Sequence, residues 1–422
     1  MRSVLLTLLC LAPSLSFAQS APASQRYASL TESLQSSRKS KDWPAYLQSA
    51  LQFRDFLNSS PNSLIPLARA YSLNHNLPAA FDAFRQFVAM GQVSDEFLNS
   101  PDFEALRQNP QFGPIAAAMR SNQSSVSLST TFITLDTLAG QITEDLDTEN
   151  AKSFFFTTVL GKKLFVATPD SRVREFATPP TDLPLLAIKL DSPRGLLWAS
   201  AVGLSDFAGV KPSAVGTSVL LCYSVATGKL IRQIDGPRKS ALGDFTISKS
   251  GDLFLADNSG ALYRLAHDSS TLERLDHGEF ISPQTPALSS DEALLFIPDY
   301  LRGIAVLDLH SGALRWLDSQ SKFALAGIDG LYFYEGKLIA VQNGSSPERV
   351  VLFSLDSTLS RISSETVIER STPTLGDPTH GVIRDRAFFY IANSGWDTLD
   401  DHGKLNPGAH LSSPHIMRFP LP

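Results

Sequence analysis

The chain is poor in cysteine, in positive charge and in long hydrophobic runs. It has 422 residues, two cysteines and a net charge of −6 at neutral pH. Nucleic-acid binding usually requires a basic face, so we predict no nucleic-acid partner. Beyond the N-terminal segment, no run reaches the roughly 18 apolar residues that a membrane-spanning helix needs, so we predict no membrane span.

The first 18 residues have the composition of an export signal. A basic start precedes an apolar core at residues 4–11, and Ser16-Phe17-Ala18 provides the small residues of a cleavage site. We therefore expect residues 1–18 to be a signal peptide and the mature protein to be periplasmic or secreted. Cleavage would remove Cys10 and leave Cys222 alone, so no intramolecular disulfide is expected.

A short apolar strand pattern recurs six times along the chain. In residues 323–344, the turn residues Asp329-Gly330 and Glu335-Gly336-Lys337 flank two strand-like runs, which indicates a β-hairpin. The six copies of its second strand are FFFTTV, LLWASA, LFLADN, LLFIPD, LIAVQN and FFYIAN, beginning at Phe154, Leu196, Leu253, Leu294, Leu338 and Phe388. Their starts are 42, 57, 41, 44 and 50 residues apart. A strand-rich repeat of this length is typical of a β-propeller, so we predict a mainly β fold with six blades over residues 126–422.

Residues 19–122 have the pattern of helices. LPAAFDAFRQFVAM, beginning at Leu77, places apolar residues at helical spacing and is followed by Gly91 as a C-terminal cap. Trp43 and Leu77 are 34 residues apart, which is the period of tetratricopeptide repeats. We predict a small all-α, tetratricopeptide-like domain that packs on the propeller. Two interpretations stay open for it: a groove that binds a protein partner, or a structural cap.

Two further features concern closure of the propeller and its faces. Residues 126–135 and 416–419 both have strand patterns, and propellers usually close by completing one blade from both termini, which hides the edge strands. The longest repeat interval is in the second blade, with its extra length in residues 203–217. We predict that this segment is a loop over one face.

Polar residues recur in phase with the repeated strands. Counting back nine or ten residues from each strand reaches the segment that enters the central channel. In five of the six blades this segment contains an acidic, amide or hydroxyl residue, and the residues are Glu144, Asp244, Gln284, Asp329 and Thr379, the last followed by His380. Oxygen ligands that converge from several directions suit a hard divalent cation such as calcium. Asn343 and Asn393 end equivalent strands and are interpreted as turn caps.

The propeller resembles the regucalcin and gluconolactonase-like family, which is related to the strictosidine synthase and paraoxonase propellers. The stretches that carry the resemblance are ITED at Ile142, LGDF at Leu242 followed by GDLFLAD, SPQTPALSSDEALLFIPD, and GIDGLYFYEGKLIAVQNG. The resemblance implies one channel metal held by Glu144, Asp329 and, in an asparagine position of the family, Gln284. It also implies that Asp329 is the general base. The family's substrate-contacting asparagine falls on Gly243, which leaves Asp244 as its substitute.

Two functions follow from these residues. The first is a divalent-cation-dependent hydrolase of a lactone or ester, with calcium as the expected cation, zinc as the alternative and His380 as a second acid or base. The second is a catalytically silent propeller that binds a small ligand in its channel while the helical domain recruits a protein. Glu144 and Asp329 favour the hydrolase, and the substituted asparagine positions favour the binding module. A condensation of the strictosidine synthase type is a third option.

Overall fold

The computed structural model describes residues 21–204, 207, 209–400 and 402–422. The predicted signal peptide over residues 1–18, which includes Cys10, lies outside the described residues. Within the described ranges, no helix has both the length and the apolarity needed to cross a membrane.

The N-terminal part of the described chain consists of seven α-helices. They are α1 (Ala23–Lys39), α2 (Trp43–Phe56), α3 (Pro61–Leu73), α4 (Leu77–Ala89), α5 (Asp95–Asn99), α6 (Glu104–Arg107) and α7 (Phe112–Asn122). The two residues that are 34 positions apart, Trp43 and Leu77, begin α2 and α4, each with a proline in the first turn. Proline is tolerated there because its missing N–H has no partner within the helix. The predicted helical segment is confirmed, whereas its tetratricopeptide assignment stays a prediction.

An apolar core joins these helices to the propeller. The ring of Phe84 stacks on that of Phe97 at 3.7 Å between centroids, within a larger group of buried phenylalanines. Ile281 and Ala324 of the propeller belong to the same apolar cluster. Val93 N also donates a hydrogen bond of 2.6 Å to Ser346 O. The helices therefore pack on the propeller, as predicted.

Six antiparallel sheets form the six blades; five of the sheets have four strands, and that of the fifth blade has five. The first two blades contain β3 (Thr143–Thr148), β4 (Phe154–Thr158), β5 (Leu164–Ala167), β6 (Val173–Ala177), and β7 (Leu185–Asp191), β8 (Leu196–Val202), β9 (Ser218–Ser224), β10 (Leu230–Asp235). The third and fourth contain β11 (Leu242–Ile247), β12 (Leu253–Asp257), β13 (Ala261–Leu265), β14 (Leu272–Arg274), and β15 (Ala287–Leu288), β16 (Leu294–Asp299), β17 (Gly303–Asp308), β18 (Leu314–Trp316). The fifth and sixth contain β19 (Gly330–Tyr334), β20 (Lys337–Gln342), β21 (Arg349–Leu355), β22 (Ile362–Arg370), and β23 (Gly381–Arg384), β24 (Ala387–Ile391), β25 (His415–Pro420), with β1 (Val126–Ser127) and β2 (Thr130–Thr134) completing them.

The six repeated segments are the second strands of the six blades, namely β4, β8, β12, β16, β20 and β24. A second strand is covered on both faces by the neighbouring blades, so its sequence is almost continuously apolar rather than alternating. All five residues of β4, β12 and β24 are buried. The predicted six-bladed propeller is confirmed.

The ring closes through the pairing of an N-terminal with a C-terminal strand. β2 pairs antiparallel with β25, and Thr130 lies opposite Arg418. This places β2 at the outer edge of the sixth blade, in the order β2-β25-β24-β23. β1 instead extends the fifth blade beside β22. The predicted closure is confirmed, although the run over residues 126–135 is divided between two blades.

Three additions cover the face of the propeller at which the inner strands begin, which we call the upper face. They are the helices, the loop over residues 203–217 between β8 and β9, and the loop over residues 393–414 between β24 and β25. The first loop places Phe207 in a buried cluster with Ile142 and Leu186, and its ring lies 5.7 Å from that of Trp396 in the second loop. The predicted loop of the second blade therefore does cover one face.

Candidate functional site

The inner strands of the first three blades are irregular where they enter the channel. The pairing register shifts between Thr143 and Leu146 in β3, between Leu185 and Ile188 in β7, and between Leu242 and Asp244 in β11. Such bulges re-aim side chains and are frequent beside active sites. They fall at the positions that precede each repeated strand by nine or ten residues.

Glu144, Asp329 and His380 come together in the channel from the first, fifth and sixth blades. One candidate ligand atom of each residue lies within 4.8 Å of the other two. Glu144 and His380 are buried, with 8% and 1% of their surface exposed, and Asp329 is partly buried. The structure thus brings together three of the residues that the sequence pattern selected. With Asp244, which contacts His380, we call them the upper cluster.

Glu144 is held by two neighbouring elements. Its backbone carbonyl accepts a hydrogen bond of 2.7 Å from Thr379 Oγ1 and one of 3.1 Å from His380 Nδ1. Its carboxylate accepts a hydrogen bond from the indole N–H of Trp396, which lies in the loop over residues 393–414. Burial raises the pKa of Glu144 well above its ordinary value; the charge of His380 opposes that rise, and Asp329 adds to it.

The imidazole of His380 has one engaged and one available nitrogen. Since Nδ1 donates to the carbonyl of Glu144, it carries a proton. Nε2 lies 2.9 Å from Asp244 Oδ1 but out of line for a hydrogen bond, and it has no such partner among the described residues. Burial disfavours the charged ring, yet Asp329 and Asp244 outweigh burial and raise the pKa of His380 well above its ordinary value. The imidazolium therefore offsets part of the negative charge around it.

The carboxylate of Asp329 is oriented by Asn343, which is itself hydrogen-bonded to Tyr300. Asn343 Nδ2 donates to Asp329 Oδ2 at 3.0 Å, and Tyr300 OH donates to Asn343 Oδ1 at 3.0 Å. Burial raises the pKa of Asp329 to about 6, with His380 opposing the rise and Asp244 adding to it. The interpretation of Asn343 as a turn cap is therefore wrong, because its amide reaches into the site. Asn393 does organise its loop, since it accepts from His415 N and donates to Ser413 O.

The side chain of Asn258 contacts both Gln284 and Gly243. Gln284 Oε1 accepts a hydrogen bond of 3.1 Å from Asn258 Nδ2, and Gln284 Nε2 donates to Ser282 Oγ at 3.0 Å. A Cβ at Gly243 would lie 2.4 Å from Asn258 Oδ1, so Asn258 occupies the space that a larger residue there would need. Asn258, like Trp396, is a site residue that the sequence pattern did not select. The ligand role of Gln284 and the substrate role of Asp244 stay predictions.

Below the upper cluster, two contacts narrow the channel. Asp145 accepts a hydrogen bond of 2.8 Å from Ile188 N and forms a buried ion pair with Lys189. Tyr332 OH accepts a hydrogen bond of 2.6 Å from Gly381 N, and burial raises the pKa of that hydroxyl well above its ordinary value. Beyond these groups lies a cavity of about 300 Å³ at the other end of the channel, which we call the lower cavity.

The upper cluster fits a divalent cation. The carboxylates of Glu144 and Asp329 and the imidazole of His380 are a donor set for a borderline ion such as zinc, whereas calcium prefers oxygen ligands alone. Nε2 of His380 has no hydrogen-bond partner among the described residues, and in the neutral imidazole it is a ligand atom of the kind that such an ion requires. Trp396 and Asn343 orient the two carboxylates, as outer partners commonly do around metal ligands.

Sequence comparison assigns no family, because no family model and no curated protein matches the chain. Solved structures do resemble it. A Thermus thermophilus protein, provisionally assigned as an oxidoreductase (glucose dehydrogenase), has a TM-score of 0.44 at 13% identity, over 66% of this chain and 96% of that one. A streptogramin B lyase has a TM-score of 0.42 at 14% identity, over 71% and 87%. Virginiamycin B lyase from Staphylococcus aureus has a TM-score of 0.42 at 12% identity, over 70% and 99%. The likeness concerns the arrangement of blades and carries no conclusion about chemistry.

Proposed function

We propose that the upper cluster binds a divalent cation and that the protein is an exported, metal-dependent hydrolase of a lactone or a similar ester. The observation that carries this proposal is the convergence of Glu144, Asp329 and His380, whose candidate ligand atoms lie within 4.8 Å of one another. The resemblance to gluconolactonase-like propellers supports the choice of a lactone as the substrate class.

Glu144, Asp329 and His380 would hold the cation. When bound, a divalent cation supplies Lewis-acid polarisation of a substrate carbonyl. The imidazole favours zinc, and the family resemblance favours calcium, so both ions belong in the test.

The remaining chemistry belongs to the side chains of the cluster. Asp329 is the group that takes the proton from the attacking water, while Asn343 fixes the orientation of its carboxylate through the bond to Oδ2. His380, whose Nδ1 already donates to Glu144 O, would hold the cation through Nε2, and Asp329 returns the proton that it took from the water to the leaving oxygen. Trp396 and Phe207 pack together above Glu144 and limit the access of water to that side.

A second candidate function is a catalytically silent binding propeller. It is favoured by the position of the helices, which pack on the upper face through contacts such as that of Arg302 Nε with Phe56 O at 3.1 Å. A protein recruited by the helices would therefore lie next to the mouth of the channel that leads to the upper cluster.

The test is calorimetric titration of the purified protein with zinc and with calcium. We expect saturable binding that is lost in Asp329→Asn and retained in Asp82→Asn, a matched change at an exposed position of α4. A lactone and ester screen follows, with the Glu144→Gln/Asp329→Asn double variant as the inactive control. Metal binding without turnover would favour the binding module. The absence of metal binding, or binding that ignores Asp329, would overturn the proposed centre.

A further inference from the structure

The lower cavity is a space on the axis of the propeller that opens to solvent. Its lining includes residues in or next to the inner strand of every blade, and among them are Asp147, Lys189, Thr246, Thr285, Tyr332 and Arg384. The Lys189–Asp145 ion pair and the side chain of Tyr332 lie between it and the upper cluster. A volume of about 300 Å³ is at the lower end of the range for small-molecule sites.

The charged groups of this cavity leave one cation with free N–H groups. Three cationic residues, Lys189, Lys249 and Arg384, line it together with two acidic ones, Asp147 and Glu292. Both acids already accept hydrogen bonds from the backbone. The two carboxylate oxygens of Asp147 accept from Thr148 N at 2.7 Å and Leu190 N at 2.8 Å. Glu292 Oε1 accepts from Lys249 N at 2.9 Å. Lys189 is paired with Asp145 and Lys249 lies beside Glu292, so Arg384 is the cation left for a ligand, and a single guanidinium suits a monoanion.

Two donors of the cavity are also available. Arg384 Nε donates to Thr148 O at 2.6 Å, but its Nη2 remains 4.0 Å from Asp147 Oδ1, which is too far for a hydrogen bond. Thr285 is only 2% exposed, and its hydroxyl has no hydrogen-bond partner within the described part of the chain. A buried hydroxyl without a partner costs free energy, so a ligand group that accepts a hydrogen bond from it is expected in the cavity.

The remaining walls are apolar. Leu190, Ile247, Pro286, Leu331 and Val382 surround the charged groups. A ligand that suits this lining has a compact carbon body and one charged end, because apolar walls supply the contact area and a few polar groups fix the orientation.

We propose that the lower cavity binds a small organic monocarboxylate. Its carboxylate is bound by the free guanidinium N–H groups of Arg384, whose planar fork matches the two oxygens. Its carbon body lies against the apolar walls, and the Thr285 hydroxyl donates to an oxygen of the ligand. The site is distinct from the upper cluster and does not depend on the metal or on the proposed hydrolysis.

The experiment is calorimetric titration of the purified protein with three probes of one shape: benzoate, its neutral analogue benzamide and the dianion phenylphosphonate. We expect saturable benzoate binding in the millimolar range or tighter, with benzamide and phenylphosphonate each at least about tenfold weaker. Benzoate binding should weaken about tenfold or more in Arg384→Gln. It should not change in Arg172→Gln, where the replaced side chain is 81% exposed.

A second variant separates binding from folding. Thr285→Val has nearly the same shape and removes a hydroxyl that lacks a partner, so we expect its melting temperature to be unchanged or higher while benzoate binds about fivefold more weakly. Three results would each overturn the proposal: no saturable benzoate binding, tighter binding of phenylphosphonate than of benzoate, or benzoate affinity that is retained in Arg384→Gln but lost in Asp329→Asn. The last result would place the anion at the upper cluster instead.

Discussion

The upper cluster and the lower cavity lie on the same inner strands but carry different charged groups. The upper cluster sets Glu144, Asp244 and Asp329 against the single imidazole of His380. The lower cavity, a few residues further along each strand, has three cationic residues and two acidic ones. The same six inner strands thus carry the proposed cation site at one end and the proposed carboxylate site at the other. The chemistry is decided by side chains at particular levels of the channel, and for this reason a shared propeller fold does not indicate a shared activity.

The largest effect is expected from removal of the imidazolium of the upper cluster. In the metal-free protein, His380→Gln leaves the buried carboxylates of Glu144, Asp244 and Asp329 without their nearest cation, and we expect the free energy of unfolding to fall by about 3–5 kcal/mol at neutral pH. Urea unfolding measures this loss. His402→Gln, at an exposed position of the loop over residues 393–414, is the control. An equal effect of the two changes would show that His380 does not balance the charge of the cluster.

The next effect concerns the ion pair of Lys189 and Asp145, which lies between the upper cluster and the lower cavity. Lys189→Met leaves the buried carboxylate of Asp145 with only its backbone donors, Leu146 N and Ile188 N, so we expect a loss of about 3 kcal/mol in unfolding free energy. The exposed pair of Lys163 and Glu175 provides the matched control, and Lys163→Met should cost less than about 1 kcal/mol. Similar losses of unfolding free energy in both lysine variants would show that the buried pair of Lys189 and Asp145 contributes no more than an exposed pair.

The next effect is the pH dependence of stability through Asp377, whose backbone N–H donates to Glu348 and whose carbonyl accepts from Ser394 in the loop over residues 393–414. Burial, Glu348 and Asp329 raise the pKa of Asp377 to about 7, and Asp397 adds to the rise. In the unfolded chain this carboxyl ionises near pH 4, so the folded protein binds the extra proton and its stability falls as pH rises from about 4 to about 7. Asp377→Asn should remove roughly 2 kcal/mol of that fall after solvent screening is allowed for. Denaturant unfolding at pH 5 and pH 8 checks this, and an unchanged difference between the two values in Asp377→Asn would refute the assignment.

The smallest effect is expected from a variant that should weaken binding at the upper cluster and leave binding in the lower cavity unchanged. Trp396→Phe removes the indole N–H bond to Glu144 but retains the aromatic contact with Phe207. We expect zinc binding to weaken about fivefold and benzoate binding to remain unchanged. Calorimetry with both ligands provides the comparison, and a parallel loss of both would mean that the two ends are coupled.

The fold could be predicted because the second strands leave a strong sequence signal. Each is packed between two blades, so its residues are apolar on both faces and the pattern repeats six times from β4 to β24. The closing strands were also recognisable from their alternation. The division of residues 126–135 between two blades was not, because it depends on the separate pairing of β1 with β22 and of β2 with β25.

The candidate site could be predicted only where its residues keep a fixed offset from the repeats. Glu144, Asp329 and His380 were reached in this way, because each inner strand enters the channel at the same distance before its second strand. Trp396 lies in a loop that has no such offset, and it meets Glu144 across 252 positions of sequence. Asn343 did have a signal, since Asn258 and Asn393 hold the same position in their repeats, but a sequence cannot show which of the three side chains points into the channel.

The closure of the sixth blade has a kinetic consequence. His415 of β25 and Thr134 of β2 are 281 positions apart, yet their side chains lie 3.1 Å from each other in the completed ring. Blades one to five can assemble from neighbouring hairpins, but β2 has to wait for β25, which is made last among the described strands. Until then the nascent molecule is an open arc with unpaired strands at both ends, and such edges are prone to pair with other chains. The slowest and most aggregation-sensitive moment of its folding is therefore the joining of these two strands.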